Sequence, residues 1–411
     1  MSAAREWPQP GAWLALIGIG EDGVDGLTPA ARTLLEGAAL VVGGARHLAL
    51  AAPLIRGARM EWPSPMQAAY AAILGRRGEP VVVLASGDPF CHGVGSVLAA
   101  QVPSGELLCL PAPSAFSLAC ARLAWPLPEV STVSLCGRPV AMLRPLLQPG
   151  RRVLALSADE TTPGQVATLL RAEGFGGSRV HLLEALGGPR ERVRSWPAAG
   201  SLPAEIERLN LVGIEVVAEA GARVIPRAPG LPDAWFEHDG QLTKAEVRAV
   251  TLSALAPRRG ELLWDVGAGS GAVGIEWMLA DSANRAVAVE VRPDRLARVA
   301  RNAAALGVPG LALREGEAPA AFEGLAVPDA VFLGGGARHA GVIEAAWAAL
   351  RPGGRIVANG VTLETEARLV EAWRAFGGGL VRLAVSRVDA VGSLHGFRPA
   401  MTVTQWVAAK S

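Results

Sequence analysis

The chain has 411 residues, half of them hydrophobic and 19% charged, which excludes a largely disordered protein. At roughly 150 residues per domain, that length predicts two or three domains. Its 39 basic and 38 acidic residues leave a formal charge of +1, spread evenly along the chain, so the basic face that nucleic acid requires is missing. The first long apolar run, residues 13–20, is far shorter than the about 20 residues of a membrane helix. It also lacks a charged leader and a small-residue cleavage site, so neither anchor nor signal peptide is expected. Cys91, Cys109, Cys120 and Cys136 form no C-x-x-C pair and lie in or beside apolar runs. Reduced core thiols in a cytoplasmic protein are expected, with neither disulfides nor a metal.

Apolar strands and amphipathic stretches alternate from the start. A strand over 13–19 leads to a helix opening at Thr28-Pro29, where the hydroxyl caps free N–H groups and Pro suits the first helical position. A strand over 39–42 leads to a helix from Gly44, and further strands are expected at 80–85, 107–110, 132–135 and 152–156. This order predicts an α/β protein with parallel sheets and helical crossovers. Gly18-Ile19-Gly20-Glu21-Asp22-Gly23 spells G-x-G-x-x-G, yet its helix starts only at Thr28. The next strand ends in Gly43-Gly44-Ala45-Arg46 instead of a ribose-binding acid, so this is no dinucleotide fingerprint. A second glycine loop, Ser86-Gly87-Asp88-Pro89-Phe90 then His92-Gly93-Val94-Gly95-Ser96, follows the buried-strand run at 81–85.

Periodicity lapses over 218–233, a Gly-, Pro- and Arg-rich stretch read as a linker that divides the chain into 1–228 and 229–411, with no repeat relating the parts. Beyond it a helix over 243–256 and a strand over 261–266 lead into Gly267-Ala268-Gly269-Ser270-Gly271 and another helix. Glycines let the backbone approach a ligand, and a helix N-terminus offers N–H groups. The following strand, 285–289, ends in Glu290, placed to accept ribose hydroxyls. The set predicts an adenosine-containing ligand, and G-x-G-x-G favours a methyl donor over a nicotinamide. The fourth strand, 329–333, ends in Gly334-Gly335-Gly336, which offers no side-chain acceptor for an amine but leaves room for a flat substrate. Arg338 and His339 follow, as candidates to bind a substrate carboxylate or move a proton.

Residues 265–271, Glu290, Glu317-Ala318-Pro319 and the turn Arg351-Pro352-Gly353-Gly354-Arg355-Ile356 resemble class I S-adenosylmethionine methyltransferases across nearly the whole C-terminal part. The resemblance implies a Rossmann-like domain in which Gly267, Ala268, Gly269, Ser270 and Gly271 cradle the methionine part of the donor. Glu290 would hold the ribose, Ala318 would lie near the adenine, and Thr243 would touch the donor from the opening helix. The N-terminal part is similar to the tetrapyrrole methylases. The ordered set is the 18–23 loop, the 86–96 loop, Pro111-Ala112-Pro113-Ser114-Ala115, residues 157–163, and Glu184-Ala185-Leu186-Gly187 with Arg190-Glu191, over about residues 12–220. This implies a two-lobed domain with Gly87, Asp88 and Gly93 as donor contacts and Ser114, Ala115 and Thr162 contributing from the other side. The loop of Gly18 and Gly20 would floor the tetrapyrrole trough. Here the chain departs from the family's usual G-x-G-P-G-D-P, reading Glu21-Asp22-Gly23-Val24-Asp25.

A tetrapyrrole methylase fused to a class I methyltransferase resembles the decarboxylating precorrin C5,15-methyltransferases of cobalamin biosynthesis. The resemblance implies C5 methylation by 1–228, C15 methylation with loss of the ring C acetate carboxyl by 229–411, and one S-adenosylmethionine site per domain. It also implies a metal-free reaction, a homo-oligomer, and a substrate rich in carboxylates, for which Arg46, Arg138 and Arg338 are candidate ligands. Carbon methylation needs an electron-rich ring position held in line with a sulfonium methyl, so positioning carries most of the catalysis. The equivalent enzyme for cobalt-loaded substrate shares every motif. An RNA or protein methyltransferase and a non-catalytic donor-binding module remain as other readings.

Overall fold

Five parallel strands open the part of the chain that the computed structural model describes, residues 11–411. They are β1 (Leu14–Ile19), β2 (Leu40–Gly43), β3 (Ala58–Glu61), β4 (Val81–Ser86) and β5 (Leu107–Leu110), in the spatial order β3-β2-β4-β1-β5. β1 and β4 are covered on both faces, which is why they read as unbroken apolar runs. Ala15, Ile17, Val82 and Leu84 join one core layer with Leu34 and Leu35 of the helix Pro29–Gly37. Leu14, Leu16, Val81 and Val83 join the opposite layer with Ile73 and Leu98. Thr28 caps its helix as expected, accepting from Ala31 N at 3.2 Å. The first ten residues, part of the stretch over which no leader was expected, lie outside the described chain.

The second sheet of this unit is mixed. β6 (Val130–Ser134), β7 (Arg152–Leu156), β8 (Arg179–Glu184), β9 (Arg192–Pro197) and β10 (Asn210–Glu215) lie in the order β6-β7-β10-β8-β9, and only β6 and β7 run parallel. The expectation of parallel sheets throughout fails here because the short link 185–191 joins β8 to β9 as a hairpin, which forces antiparallel pairing.

The C-terminal unit is built on β11 (Leu262–Val266), β12 (Arg285–Glu290), β13 (Ala312–Glu315), β14 (Ala330–Leu333), β15 (Arg355–Gly360) and β16 (Gly379–Leu383). The hairpin β17 (Ser386–Val391) and β18 (Leu394–Pro399) follows, and β19 (Val403–Ala409) closes the chain. Seven strands pair in the order β13-β12-β11-β14-β15-β19-β16, with β19 antiparallel to both neighbours. Leu263 faces a core layer containing Ile275 and Trp277, while Trp264 and Val266 face one containing Ile343 and Trp406. Arg248, on the helix Ala245–Leu255, is fully buried. It pairs with Glu276, reaches Asp233 at 3.3 Å, donates to the carbonyls of Leu231 and Thr243, and lies 4.8 Å over the Phe236 ring. Glu276 in turn accepts from Gly230 N at 2.6 Å and Leu231 N at 3.0 Å.

The chain passes from one compact unit to the other between Arg223 and Val224, and residues 141–147 cluster with the C-terminal unit. This differs from the 228/229 division read from the sequence, because Ile225 buries its side chain in the C-terminal core. The cysteine expectation is corrected at one position: Cys136 is exposed, with Cys120 buried and Cys91 and Cys109 between. Among the described residues no helix is long and apolar enough to cross a membrane.

Candidate donor and substrate sites

In the C-terminal unit the loop after β11 turns through left-handed glycines, with φ of +69° at Gly267 and +58° at Gly269. A Cβ on Gly267 would lie 2.7 Å from the backbone of Gly335, so the first and fourth strand ends interlock and Gly335 serves this contact. Gly334 is exposed beside the Phe332 ring. At Gly271 a Cβ would meet Val299 at 2.6 Å, whereas at Gly269 the nearest atom is Gln241 O at 3.4 Å, an ordinary contact. Glu290 is buried and already bonded: Oε2 accepts from Gly269 N at 3.0 Å, and Oε1 accepts from Val291 N at 3.0 Å and Arg292 N at 3.1 Å. The acid thus sets the loop as well as facing the expected ribose position. Gly316 N donates to Glu290 O at 3.1 Å, which carries the half-buried Ala318 to the same strand end. Ala268 and Thr243 are half-buried, and the buried Ser270 gives its carbonyl to Asn302 at 2.9 Å. Asn302 was not singled out from the sequence. It also bonds the backbone of Glu237, clamping the glycine loop to the segment before the first helix.

Asp265, the last acid of β11, accepts from Gly274 N at 2.9 Å through Oδ2, while its Oδ1 is buried without a partner among the described residues. Burial, opposed by that N–H and reinforced by Glu290, pushes its carboxyl up to about 7. An orphaned acceptor beneath left-handed glycines fits a cationic sulfonium and ammonium ligand. The raised value also has a stability consequence. Between 3.8 and about 7 the folded state holds a proton that the unfolded chain has lost, so this residue's contribution falls as pH rises through that window. Asp265→Asn removes the penalty but leaves an unpartnered amide, for a net gain on the order of 1 kcal/mol. Thermal melts should show the variant more stable than wild type at pH 8 and not at pH 4. An equal shift at both would sink the assignment. Arg338 and His339 are exposed beyond the Gly334 loop, with Arg338 Nε 3.4 Å from His339 Nε2.

In the N-terminal unit Gly18 is buried with no room for a side chain: a Cβ would lie 1.8 Å from Gly87 O and 2.4 Å from Ala112 N. Gly18, expected in the trough floor, packs strand end against strand end. Gly87 (φ +57°) packs equally tightly on Pro113 and Ser114, and a Cβ on Gly93 would meet Pro89 O at 2.5 Å. Asp88 Oδ1 accepts from Phe90 N at 2.8 Å. Ser114 caps the helix Ala115–Leu123, accepting from Ser117 N at 3.1 Å, and the half-buried Ala115 packs on the core beneath that helix. Ser114→Ala should cost about 1 kcal/mol in denaturant unfolding of this unit. Thr162 is buried, and its hydroxyl is taken by Ala158 N at 3.1 Å and Asp159 N at 3.3 Å. It shapes the 157–162 turn from within.

Gly20 lies beside the Asp22 carboxylate, while Asp25 is exposed and 3.8 Å from Arg32. Glu21 instead points inward: it pairs with Arg46 and lies 4.0 Å from Arg190. Arg46 also donates to Ser86 Oγ at 2.8 Å and lies 2.9 Å from His47 Nε2. Glu21, His47, Ser86 and Arg190 therefore join Arg46 at the strand ends, and none of the four was singled out as a site residue. Arg138 is exposed on the turn after β6 and makes no hydrogen bond or ion pair with that cluster among the described residues.

Two α/β units, each ending parallel strands in a crowded glycine loop, and the second adding a buried acid at the neighbouring strand end, define a fused pair of methyltransferase domains. The tetrapyrrole (corrin/porphyrin) methylase family model matches residues 14–200, and the precorrin methyltransferase domain model matches 234–410. A precorrin-6Y C(5,15)-methyltransferase [decarboxylating] of Sinorhizobium sp is 54% identical over 96% of this chain and 95% of its own length. One of Mycobacterium tuberculosis is 40% identical over 97% of this chain and all of its own. The crystal structure of the C-terminal domain of precorrin-6Y C5,15-methyltransferase from Rhodobacter capsulatus is 43% identical, covering 45% of this chain and 100% of that one, with a TM-score of 0.43. The chain belongs to the decarboxylating precorrin-6Y C(5,15)-methyltransferase family.

Proposed function

We propose that the chain methylates a precorrin-6Y-type tetrapyrrole twice in cobalamin biosynthesis. The N-terminal unit acts at C5, and the C-terminal unit acts at C15 and releases the ring C acetate carboxyl as carbon dioxide. The observation that carries this reading is the pair of glycine loops, at 86–95 and 267–271, each fixed by backbone contacts that no other residue type permits. S-adenosylmethionine, one molecule per unit, supplies an electrophilic methyl group when bound. Gly267 to Gly271, Glu290, Thr243 and Ala318 would hold it in the C-terminal unit; Gly87, Asp88, Gly93, Ser114 and Ala115 would do so in the N-terminal unit. The chain's own work is positioning: loop N–H groups fix the ligands, while Arg46 and Arg338 pair with substrate carboxylates. Decarboxylation needs an electron sink, which the conjugated macrocycle provides, so no metal enters the reading.

Exposed Val388, Val391, Leu394 and Phe397 on the β17–β18 hairpin support self-association, the balanced charge supports a protein that binds no nucleic acid, and cysteines without a C-x-x-C pair support a reducing cytoplasm. Product mass after turnover of metal-free precorrin-6Y tests the function: two methyl groups gained and one carbon dioxide lost. Turnover of the cobalt-loaded substrate alone would overturn the metal-free assignment.

A further inference from the structure

One titratable side chain at the strand ends of the first sheet serves neither donor binding nor carboxylate binding. His47 Nε2 lies 2.8 Å from Ser86 Oγ and 2.9 Å from Arg46 Nη2, and Ser86 Oγ lies 2.8 Å from the same Arg46 nitrogen. A guanidinium only donates, so Arg46 fixes the direction of the network. Ser86 accepts from Arg46 and keeps its own proton for His47 Nε2, which is then the unprotonated nitrogen. The Nδ1 side is buried and has no partner among the described residues. Ser86 is exposed at the end of β4, immediately before Gly87, with His47 half-buried behind it. The groups around the imidazole are thus the exposed Ser86 hydroxyl, the Arg46 cation, and beyond it the Glu21 carboxylate with Arg190. Asp88 lies two residues past Ser86.

We propose that Ser86 and His47 form the proton relay of the N-terminal methyl transfer. The inference rests on the function proposed above. When a ring carbon takes the methyl group, its electron pair forms the new C–C bond, the electrons of the broken S–C bond stay on sulfur, and the macrocycle is left with one proton too many. That proton passes to Ser86 Oγ as the Ser86 hydroxyl proton passes to His47 Nε2; once the product has left, the imidazolium returns its Nε2 proton through the exposed Ser86 hydroxyl to water. Burial and the Arg46 charge hold His47 down to about 4, so its lone pair is available throughout the physiological range and the imidazolium, once formed, readily releases its proton.

The test uses the full-length protein, precorrin-6Y and S-adenosylmethionine, with product mass as one readout and calorimetric binding of S-adenosylhomocysteine as the other. Ser86→Ala and His47→Gln should each slow the N-terminal methyl gain by about 100-fold or more in kcat, with KM and S-adenosylhomocysteine affinity within about threefold of wild type. The C-terminal methyl gain and carbon dioxide loss should persist, and the double variant should be no slower than either single one. Ser86 is exposed, so Ser86→Ala gives a folded variant even where His47→Gln does not. N-terminal methylation at the wild-type rate in Ser86→Ala overturns the relay. So does a loss of S-adenosylhomocysteine affinity that accounts for the rate, because the pair would then belong to the donor floor. A wild-type chain that transfers no methyl group overturns the parent function and the relay with it, a result distinct from loss confined to the variants.

Discussion

Gly269→Arg is expected to abolish C15 methylation and decarboxylation while leaving the N-terminal methyl gain, so that product mass rises by a single methyl with no carbon dioxide lost. Two features of the loop set the size of the effect. The φ of +58° is one that side chains other than glycine rarely adopt. A Cβ there would already touch Gln241 O at 3.4 Å, so a long side chain must displace that backbone or fill the volume proposed for the donor. The guanidinium would add positive charge beside a sulfonium, and a loss on the order of 1,000-fold in C15 methylation follows if donor affinity falls by about 4 kcal/mol. Binding of S-adenosylhomocysteine should retain the N-terminal site only. Loss of both methyl transfers in a folded protein would show that the two sites are not independent.

Arg248→Leu should be the most destabilising single change in the C-terminal unit. The substitution leaves the Glu276 carboxylate buried without its counter-charge and strips the carbonyls of Leu231 and Thr243 of their donor. Breaking one side of a buried ion pair costs about 3–5 kcal/mol. A unit of this size should then melt roughly 10 °C lower. Adding Glu276→Gln should recover only part of the loss: the stranded charge is gone, but the single amide oxygen keeps one of the two N–H donors, Gly230 N or Leu231 N, which bond different carboxylate oxygens in the wild type. A calorimetric shift of the single variant no larger than that of an exposed Arg such as Arg374 would refute the buried pair.

The elements legible in the sequence are those covered on both faces. β1, β4 and β11 stand out because every residue but the terminal Ser86 of β4 is buried, and Thr28 announces its helix because its chemistry is local. β3 and β13 carry mostly exposed residues, so they lack the alternation that marks a half-buried strand. β8 and β9 depend on a hairpin link, and β10 on insertion between β7 and β8, neither of which the apolar pattern reveals. The glycine loops were visible as motifs, although only the structure separates glycines crowded by backbone, such as Gly18, from one in ordinary contact, such as Gly269. The Arg46 cluster could not be read at all: Glu21 lies 25 residues before its partner and Ser86 lies 39 after His47, and only the parallel sheet brings those strand ends together. Glu290 and Asp265 were visible as acids, but their bonding state was not. One is occupied by loop N–H groups and the other holds an oxygen without a partner.

The contact of Gly18 with Gly87 and Ala112 bears on how the N-terminal donor site responds to its ligand. Three strand ends meet backbone to backbone with no side chain between them, so the loop has no compressible layer on which to shift. A ligand entering there spends little of its binding free energy on ordering the floor, and the affinity reflects contacts made instead of loop entropy lost. The same stiffness makes the site intolerant of drift. A methyl group added at position 18 would move the 86–95 loop proposed to hold the donor, which would make an interior glycine a determinant of where the transferred carbon is held.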